Sequence, residues 1–339
     1  LEYLIYDIQV VRGEVPPREK VSHLDKFKWR QHIQIMERAM NLYAAAVDDT
    51  AIEILNERGL VNVLERVTFG YAPHDHYLRD NGMSLKELET TNLINDYGKE
   101  VFSGRIVFPI SRNGAIVHMQ GRAIDPEAQV RWLSMRTPDS ISPINRYLYG
   151  EDFFLKRSSI ETLVVSEGIS DTLSVREIRV PAVGTFGVDI DFSTFGIFER
   201  VETAIFMFDN DVFPLGSPLG GLYKSWSAAF RGLLALRKKY PAMNILCCPP
   251  PRSYGKDSND WLRSGELTQE SFQQWVYATK RPLEKFMIEE FGHRLDFQTL
   301  LLKLVGVNER EEDVSLLREK ALNIEPDPIR YAMRLICQS

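Results

Sequence analysis

From Thr162 to Pro249 the chain alternates between short apolar runs and longer amphipathic ones, and this alternation limits the fold more than any other feature. "TLVVSEG", "VPAVGT", "TAIFMFDND" and "MNILCCP" read as strands. "SDTLSVREI", "STFGIFERV" and "GLYKSWSAAFRGLLALRKKY" read as the helices between them. A βαβα succession predicts a mostly parallel sheet covered by helices. Ligands on such sheets sit beyond the carboxyl ends of the strands, so that edge is where chemistry is expected.

Two of the strands run out into acids at that edge, one at Glu167 and the other at Asp209 and Asp211. Asp171 lies four residues past Glu167, about one helical turn, and can face the same crevice. Gly168 leaves room for a ligand to approach the backbone. Carboxylates gathered in one cleft repel one another unless a divalent cation neutralises them. Oxygen ligands suit Mg²⁺ or Mn²⁺, which in turn favour phosphate substrates. A lone strand-end acid is most often just solvated; acids ending two strands of one sheet shift the balance towards a metal site.

The flanks are less regular. "EVPPREK" suits a linker, and apolar spacing from Phe27 to Asn56 predicts a helical entry segment, with Gly59 placed as a C-cap. "SLKE" (84–87) matches a capping box. "RIVFPISRNGAIVHMQGRAI" holds two β-rich runs around Asn113-Gly114, a hairpin signal with Arg105 and Arg122 near its outer ends. Beyond "KDSNDWLRSG" the tail from Thr268 reads as helical throughout, broken at "EPDPI".

Charge adds a local contrast. The chain carries 41 Lys and Arg against 47 Asp and Glu, net −6, which argues against coating nucleic acid by bulk charge. Residues 101–150 are nevertheless net +3, with Arg105, Arg112, Arg122, Arg131 and Arg146 forming a candidate phosphate track. Trp132 could stack a base there or belong to the core. Cys247, Cys248 and Cys337 show no metal or disulfide spacing, so no zinc and a reducing cytoplasm are expected. His74 and His76 read as a loop. No apolar run nears the roughly 20 residues of a membrane span. Opening on Leu1, the chain is expected to be cut from something longer.

E-G-x-x-D at 167–171, D-x-D at 209–211 and the intervening "VGTFG" with Gly184, Thr185 and Gly187 resemble the TOPRIM domain of DnaG-type primases, topoisomerases and some nucleases. "ILNERGL…LERVTFGYAP", "GRIVFPI…GAIVHMQGRAI", "RYLYG", "YGKDSNDWL" and "NIEPDPIRYAMRLI" follow in the order seen in the DnaG-type RNA-polymerase core. The resemblance runs from about residue 27 to the C-terminus. It implies an α/β fold in which a central, Rossmann-like TOPRIM domain (161–252) is flanked by an N-terminal mixed α/β subdomain with a basic groove (27–160) and a C-terminal helical subdomain (253–339). Residues 1–26 are left as an extension.

The resemblance further implies template-directed synthesis of short RNA primers on single-stranded DNA from ribonucleoside triphosphates, with a replicative helicase as a further partner, in the cytoplasm of a bacterium or phage-infected host. Divergence around the motifs leans towards a phage source. Glu167, Asp209 and Asp211 fall on the family's metal-binding acids, which hold Mg²⁺ or Mn²⁺ in a two-metal site. Asp171 and Asp257 fall on its accessory acids. Arg122 and Arg131 fall on basic positions near the template and nucleotide path, and Lys224 fits one on the helix after D-x-D; Arg105 and Arg146 of the basic track and Lys256 of the cleft wall are further candidate nucleotide or template contacts, and Gly168, Gly184 and Gly187 are structural glycines. Two departures stand out: "VFPLGSPL" (212–219) intervenes after D-x-D, as a rigid shield or a substrate gate, and makes the placement of Lys224 uncertain; and the family's upstream zinc module has no cysteines here. Two alternatives remain: a TOPRIM nuclease or topoisomerase fragment, and a non-catalytic module that binds single-stranded DNA or a helicase.

Overall fold

The computed structural model describes residues 23–138, 141–213 and 223–291. The proline-rich opening, Gly220-Gly221, most of the 212–219 insertion, and the tail from residue 292 with its "EPDPI" break lie outside the described residues.

Helix α1 (His23–Ala45) buries Ile35, Met36, Ala39, Met40 and Tyr43 along one stripe. The helical entry segment is two helices rather than one. Asp48 is extended and its carboxylate accepts the Ala51 N–H at 2.9 Å, so the chain restarts as α2 (Asp49–Glu57). Gly59 follows in the left-handed conformation (φ +77°), ending α2 as its sequence position predicts.

A four-stranded antiparallel sheet comes next, formed by β1 (Gly70–Ala72), β2 (Arg105–Arg112), β3 (Ala115–Ala123) and β4 (Trp132–Ser134) in that order. Between β1 and β2 lie α3 (Tyr77–Asp80) and α4 (Leu85–Thr91), the latter opened by the Ser84–Glu87 capping box. The hairpin turns at Asn113 (φ 54°) and Gly114 (φ 80°), both left-handed as a type I′ turn requires. Their two N–H groups are held by the Asp152 carboxylate at 2.8 and 2.7 Å.

The second sheet has the order β6-β5-β7-β8-β9. Strands β5 (Ile160–Ser166), β6 (Ala182–Gly184), β7 (Val201–Met207) and β8 (Asn244–Cys247) are parallel, as the alternation predicts. One face packs on α6 (Lys224–Lys239) in a core that includes Phe206, Trp226 and Phe230. The other packs on α5 (Ile169–Glu177), α7 (Ser258–Arg263) and α8 (Gln269–Thr279) through Leu173, Trp261 and Phe272. Side chains this large each contribute about 1.5–3 kcal/mol when fully buried.

Two expectations change. "STFGIFERV" forms two 3₁₀ turns, Phe192–Thr194 and Gly196–Arg200, instead of an α-helix. Asp191 caps the first, Gly196 weakens any continuation, and Phe192, Ile197 and Phe198 all go into the core. The tail is not helical throughout either: Arg281–Pro282 pairs antiparallel with Cys247 and Leu246 as β9 before α9 (Leu283–Phe291) begins. Proline is tolerated there because β9 lies at the edge of the sheet. Among the described residues no helix is long and apolar enough to cross a membrane.

Candidate active site

Parallel pairing in register, with Ser166 opposite Met207, brings the carboxyl ends of β5 and β7 to one edge. Glu167 and Asp209 therefore emerge side by side. Gly184 at the end of β6 allows the closest approach: an added Cβ would collide with the Thr172 hydroxyl and with the carbonyl of Gly168. Thr172 in turn donates to that carbonyl at 2.8 Å and sits 3.0 Å from the Ser166 hydroxyl, which fixes α5 on the strand ends and turns Asp171 into the crevice. Gly187 has φ +100°, while Gly168 is extended and lines the crevice.

The fourth side is supplied from far along the chain. Asp257 caps α7, accepting the Asp260 N–H at 2.8 Å. Asn210, between the acids of D-x-D, is buried and donates to the carbonyls of Pro250 and Gly255 at 2.8 and 3.0 Å, while its N–H reaches the Lys256 carbonyl at 2.9 Å. The end of β7 and the loop before α7 are thereby stitched together. Asp171, Asp209 and Asp257 each bring a carboxylate oxygen within 4.8 Å of the others.

Glu167 stands beside this group, with Oε2 buried and without a hydrogen-bond partner. Asp211 pairs with Lys224 at 3.1 Å and does not line the cavity, though its charge reaches Lys256. The backbone N–H of Lys224 meets the Asp211 carbonyl and Val212 bridges Tyr223, so residues 211–212 are held against 223–224.

The cavity at this edge measures about 470 Å³. Arg58, Arg122, Arg131 and Arg263 line it together with the acids. The Arg122 guanidinium lies 5.4 Å from the centre of the Trp132 ring, which is half-buried on Phe108. Burial, then the neighbouring Arg58, Arg131 and Arg263, push Arg122 down to about 10, so it keeps its charge at neutral pH. Arg105 spends its head on the Arg131 carbonyl at 3.2 Å, and Arg146 is exposed; neither lines the cavity.

Arg58 and Arg263 carry no local sequence signal, since tertiary packing alone brings them here. Arg58 is tied by a 2.6 Å bond to Asn259, whose N–H also reaches Asp171 at 3.3 Å.

The acids raise one another. Burial first, then Glu167, push Asp209 up to about 7 despite the Lys256 ammonium 3.0 Å away. Burial, then Asp257 and Asp209, push Asp171 well above the usual carboxylate range. Burial alone would lower Lys256, but Asp209, Asp257 and Asp211 more than offset it. A crevice of carboxylates that resist ionising together, one with a buried oxygen lacking a donor, fits a hard divalent cation. His74 and His76 join no group of three ligand side chains among the described residues and sit in a loop around Asp75. Cys247 and Cys248 are buried, and burial raises both thiols.

Comparison with known proteins gives one direction. Residues 39–141 match the family described as DNA primase catalytic core, N-terminal domain. A DNA primase of Clostridium acetobutylicum is 23% identical over 233 residues, 65% of this chain and 36% of that protein; the chain thus spans about a third of the length of the curated relative it matches. A DnaG primase catalytic domain bound to single-stranded DNA superposes with TM-score 0.67 at 20% identity, covering 88% of this chain and 99% of that one. A DNA primase domain from Pseudomonas aeruginosa gives 0.66 at 20% identity, covering 90% and 99%. The RNA polymerase domain of Mycobacterium tuberculosis DnaG, in complex with a double-stranded DNA oligomer bearing a 6-nucleotide overhang, gives 0.57 at 18% identity, covering 87% and 97%. The likeness to DnaG-type cores carried by the motifs is therefore met in sequence and in fold.

Proposed function

We propose that this chain is the catalytic core of a DnaG-type primase, joining ribonucleotides on a single-stranded DNA template. The observation that carries the reading is the convergence, in one cavity, of carboxylates from the ends of β5 and β7, from α5 and from the α7 cap with four arginines. The N-terminal subdomain (27–160), TOPRIM domain (161–252) and C-terminal helical subdomain (253–339) are the division this reading assigns. Among the described residues, β9 is the one element beyond residue 253 that returns to the central sheet.

Glu167, Asp171, Asp209 and Asp257 would hold Mg²⁺ or Mn²⁺, with Asp211 at the rim; bound there, a divalent ion acidifies a 3′-hydroxyl and neutralises charge on the α-phosphate and the leaving pyrophosphate. The protein's own part is positioning. Arg122 and Arg131 offer charge-assisted contacts to triphosphate and template backbone, and Arg58 and Arg263 extend that set. Arg122 lies over the Trp132 ring, which limits the directions in which its guanidinium can donate. Lys256 lines the same cavity, within reach of a phosphate as well as of Asp209. Lys224, Arg105 and Arg146 do not line the cavity and are read as outer contacts to the template or nucleotide phosphates. Ribonucleoside triphosphates are the substrates, and the family likeness supports a replicative helicase as a further partner.

The test is incubation with single-stranded DNA, labelled ribonucleotides and Mn²⁺ or Mg²⁺. A ladder of short RNA is expected, lost in Glu167→Ala and Asp209→Ala. Absence of RNA would overturn the reading, and cleavage of the DNA without synthesis would select the nuclease alternative.

A further inference from the structure

Helix α5 carries Asp171 at its front end and Arg176 at its rear, about 8 Å apart along the axis at the helical rise. At the rear end lies a second, differently charged depression. The Glu177 carboxylate accepts the N–H groups of Val61, Asn62 and Val63 at 2.8–3.1 Å, so the loop after α2 is fixed against α5. Arg66 is set beside Arg176 by this anchor, its Nη2 donating to the Arg176 carbonyl at 3.1 Å. Arg157 and Arg179 complete a cavity of about 210 Å³.

That cavity shares Arg66, Val67, Phe153 and Arg176 with a neighbour of about 360 Å³ that reaches the hairpin turn. It shares Arg179, Val180 and Pro181 with another of about 700 Å³ between the second sheet and α8, which ends at Tyr277 and Lys280. Among the described residues, the only carboxylate lining the three is Asp152, already engaged by the turn N–H groups. Five cations line them, and none makes an ion pair with a described residue.

Two aromatic rings stand open along the same path, Phe153 at 55% exposure and Tyr277 at 82%. Each has a cation over it: Arg176 at 5.1 Å and Arg157 at 6.0 Å for Phe153, Lys280 at 5.7 Å for Tyr277. Unpaired positive charge alternating with exposed rings along an extended groove is the chemistry that binds a single strand through phosphates and stacked bases. A small anion would use the arginines but leave both rings without a role.

We infer that this rear groove is a second binding track for single-stranded nucleic acid, distinct from the cavity that holds the acids. The inference rests on the proposed function, because it gives the strand of that reading a further path across the molecule. Template DNA and nascent RNA share the required chemistry.

The test uses the full chain in EDTA, where metal plays no part, and the anisotropy of labelled oligothymidylate or oligouridylate of about 30 nucleotides, longer than one ordinary single-strand site. Arg157→Ala with Arg179→Ala is the informative variant. Both side chains are exposed and, among the described residues, neither donates to a backbone carbonyl, whereas Arg66 and Arg176 brace carbonyls. Affinity should fall about tenfold, and the slope of log K against log salt should flatten by roughly 1.4, two phosphates' worth. Lys86→Ala with Lys99→Ala, an equal loss of charge elsewhere, should change neither. A 5-iodouridine strand should cross-link to Phe153. Loss confined to the DNA arm identifies template, and loss confined to the RNA arm identifies product.

Unchanged affinity and slope in the double variant overturn the inference. If Arg122→Ala with Arg131→Ala still weakens binding in that case, the primase reading survives. If neither oligonucleotide binds the unmodified chain, both readings fall.

Discussion

The two ends of α5 treat charge in opposite ways. At the front, carboxylates and arginines line one cavity of about 470 Å³, and burial together with the neighbouring acids raises Asp171 and Asp209 above the usual carboxylate range. At the rear, exposed Arg66, Arg157 and Arg179 gather around a half-buried Arg176, and among the described residues no free acid answers them. Balanced, desolvated charge is costly to assemble and useful for chemistry, whereas unbalanced, hydrated charge is easily kept and useful for holding a polyanion. The difference teaches that positive charge alone does not locate the reaction in this molecule; the acids do.

The sharpest way to break this division is to remove acids and rear cations separately. Asp209→Ala should lower primer synthesis by at least about 10³-fold, roughly 4 kcal/mol of lost transition-state stabilisation. Arg157→Ala with Arg179→Ala should leave synthesis on a short template within about threefold, because the rear lies outside the reacting centre. Equal losses in a radiolabelled-primer assay would erase the distinction.

The next effect belongs to the cavity arginines. Arg122→Ala and Arg131→Ala should each cost about 1.5–3 kcal/mol, read as a rise of roughly 10- to 100-fold in KM for nucleotide or template. A fall in kcat at unchanged KM would instead place these side chains in the chemical step.

Acidity gives a third, smaller handle. Asp209 titrates near 7 in the folded chain against 3.8 ordinarily, so the folded state keeps a proton that the unfolded state has lost. Its contribution therefore favours folding at low pH and declines as pH rises from about 4 to 7, by at most a few kcal/mol. In EDTA the Tm difference between Asp209→Asn and the unmodified chain should widen in favour of the variant from pH 5.5 to 7.5, and Mn²⁺ should restore the unmodified chain most at the higher pH. A difference that does not vary with pH would show that the acids are not coupled. Smallest of all, Phe153→Ala should weaken oligothymidylate binding about three- to tenfold, within the usual range for one stacked base, without altering synthesis on a short template.

Much of the architecture was legible because its causes are local. Strand runs such as "TLVVSEG", the Ser84–Glu87 capping box and the Asn113-Gly114 turn each act over a few residues, and each forms as read. The segment at 193–201 misled because its apolar residues suit a helix by spacing, while burial of Phe192, Ile197 and Phe198 on the sheet favours two tight turns. In the site, motif acids such as Glu167 and Asp209 could be found, since strand ends announce themselves. Asn210, Arg58 and Arg263 could not: Asn210 looks like a spacer until its amide meets Pro250 and Gly255, and the two arginines acquire a neighbour only when α2 packs on α7. The groove at Arg176 was hidden for the same reason, being assembled from segments that are separately unremarkable.

The antiparallel bridge between Val212 and Tyr223, together with the bond from the Lys224 N–H to the Asp211 carbonyl, closes the neck of the segment between them. Departure and return coincide, so chain can be added or deleted inside that neck without displacing the strand end beneath it. This makes the position a natural graft point, where relatives can diverge in length and an engineer can install a tag or a reporter while the carboxylates below keep their spacing.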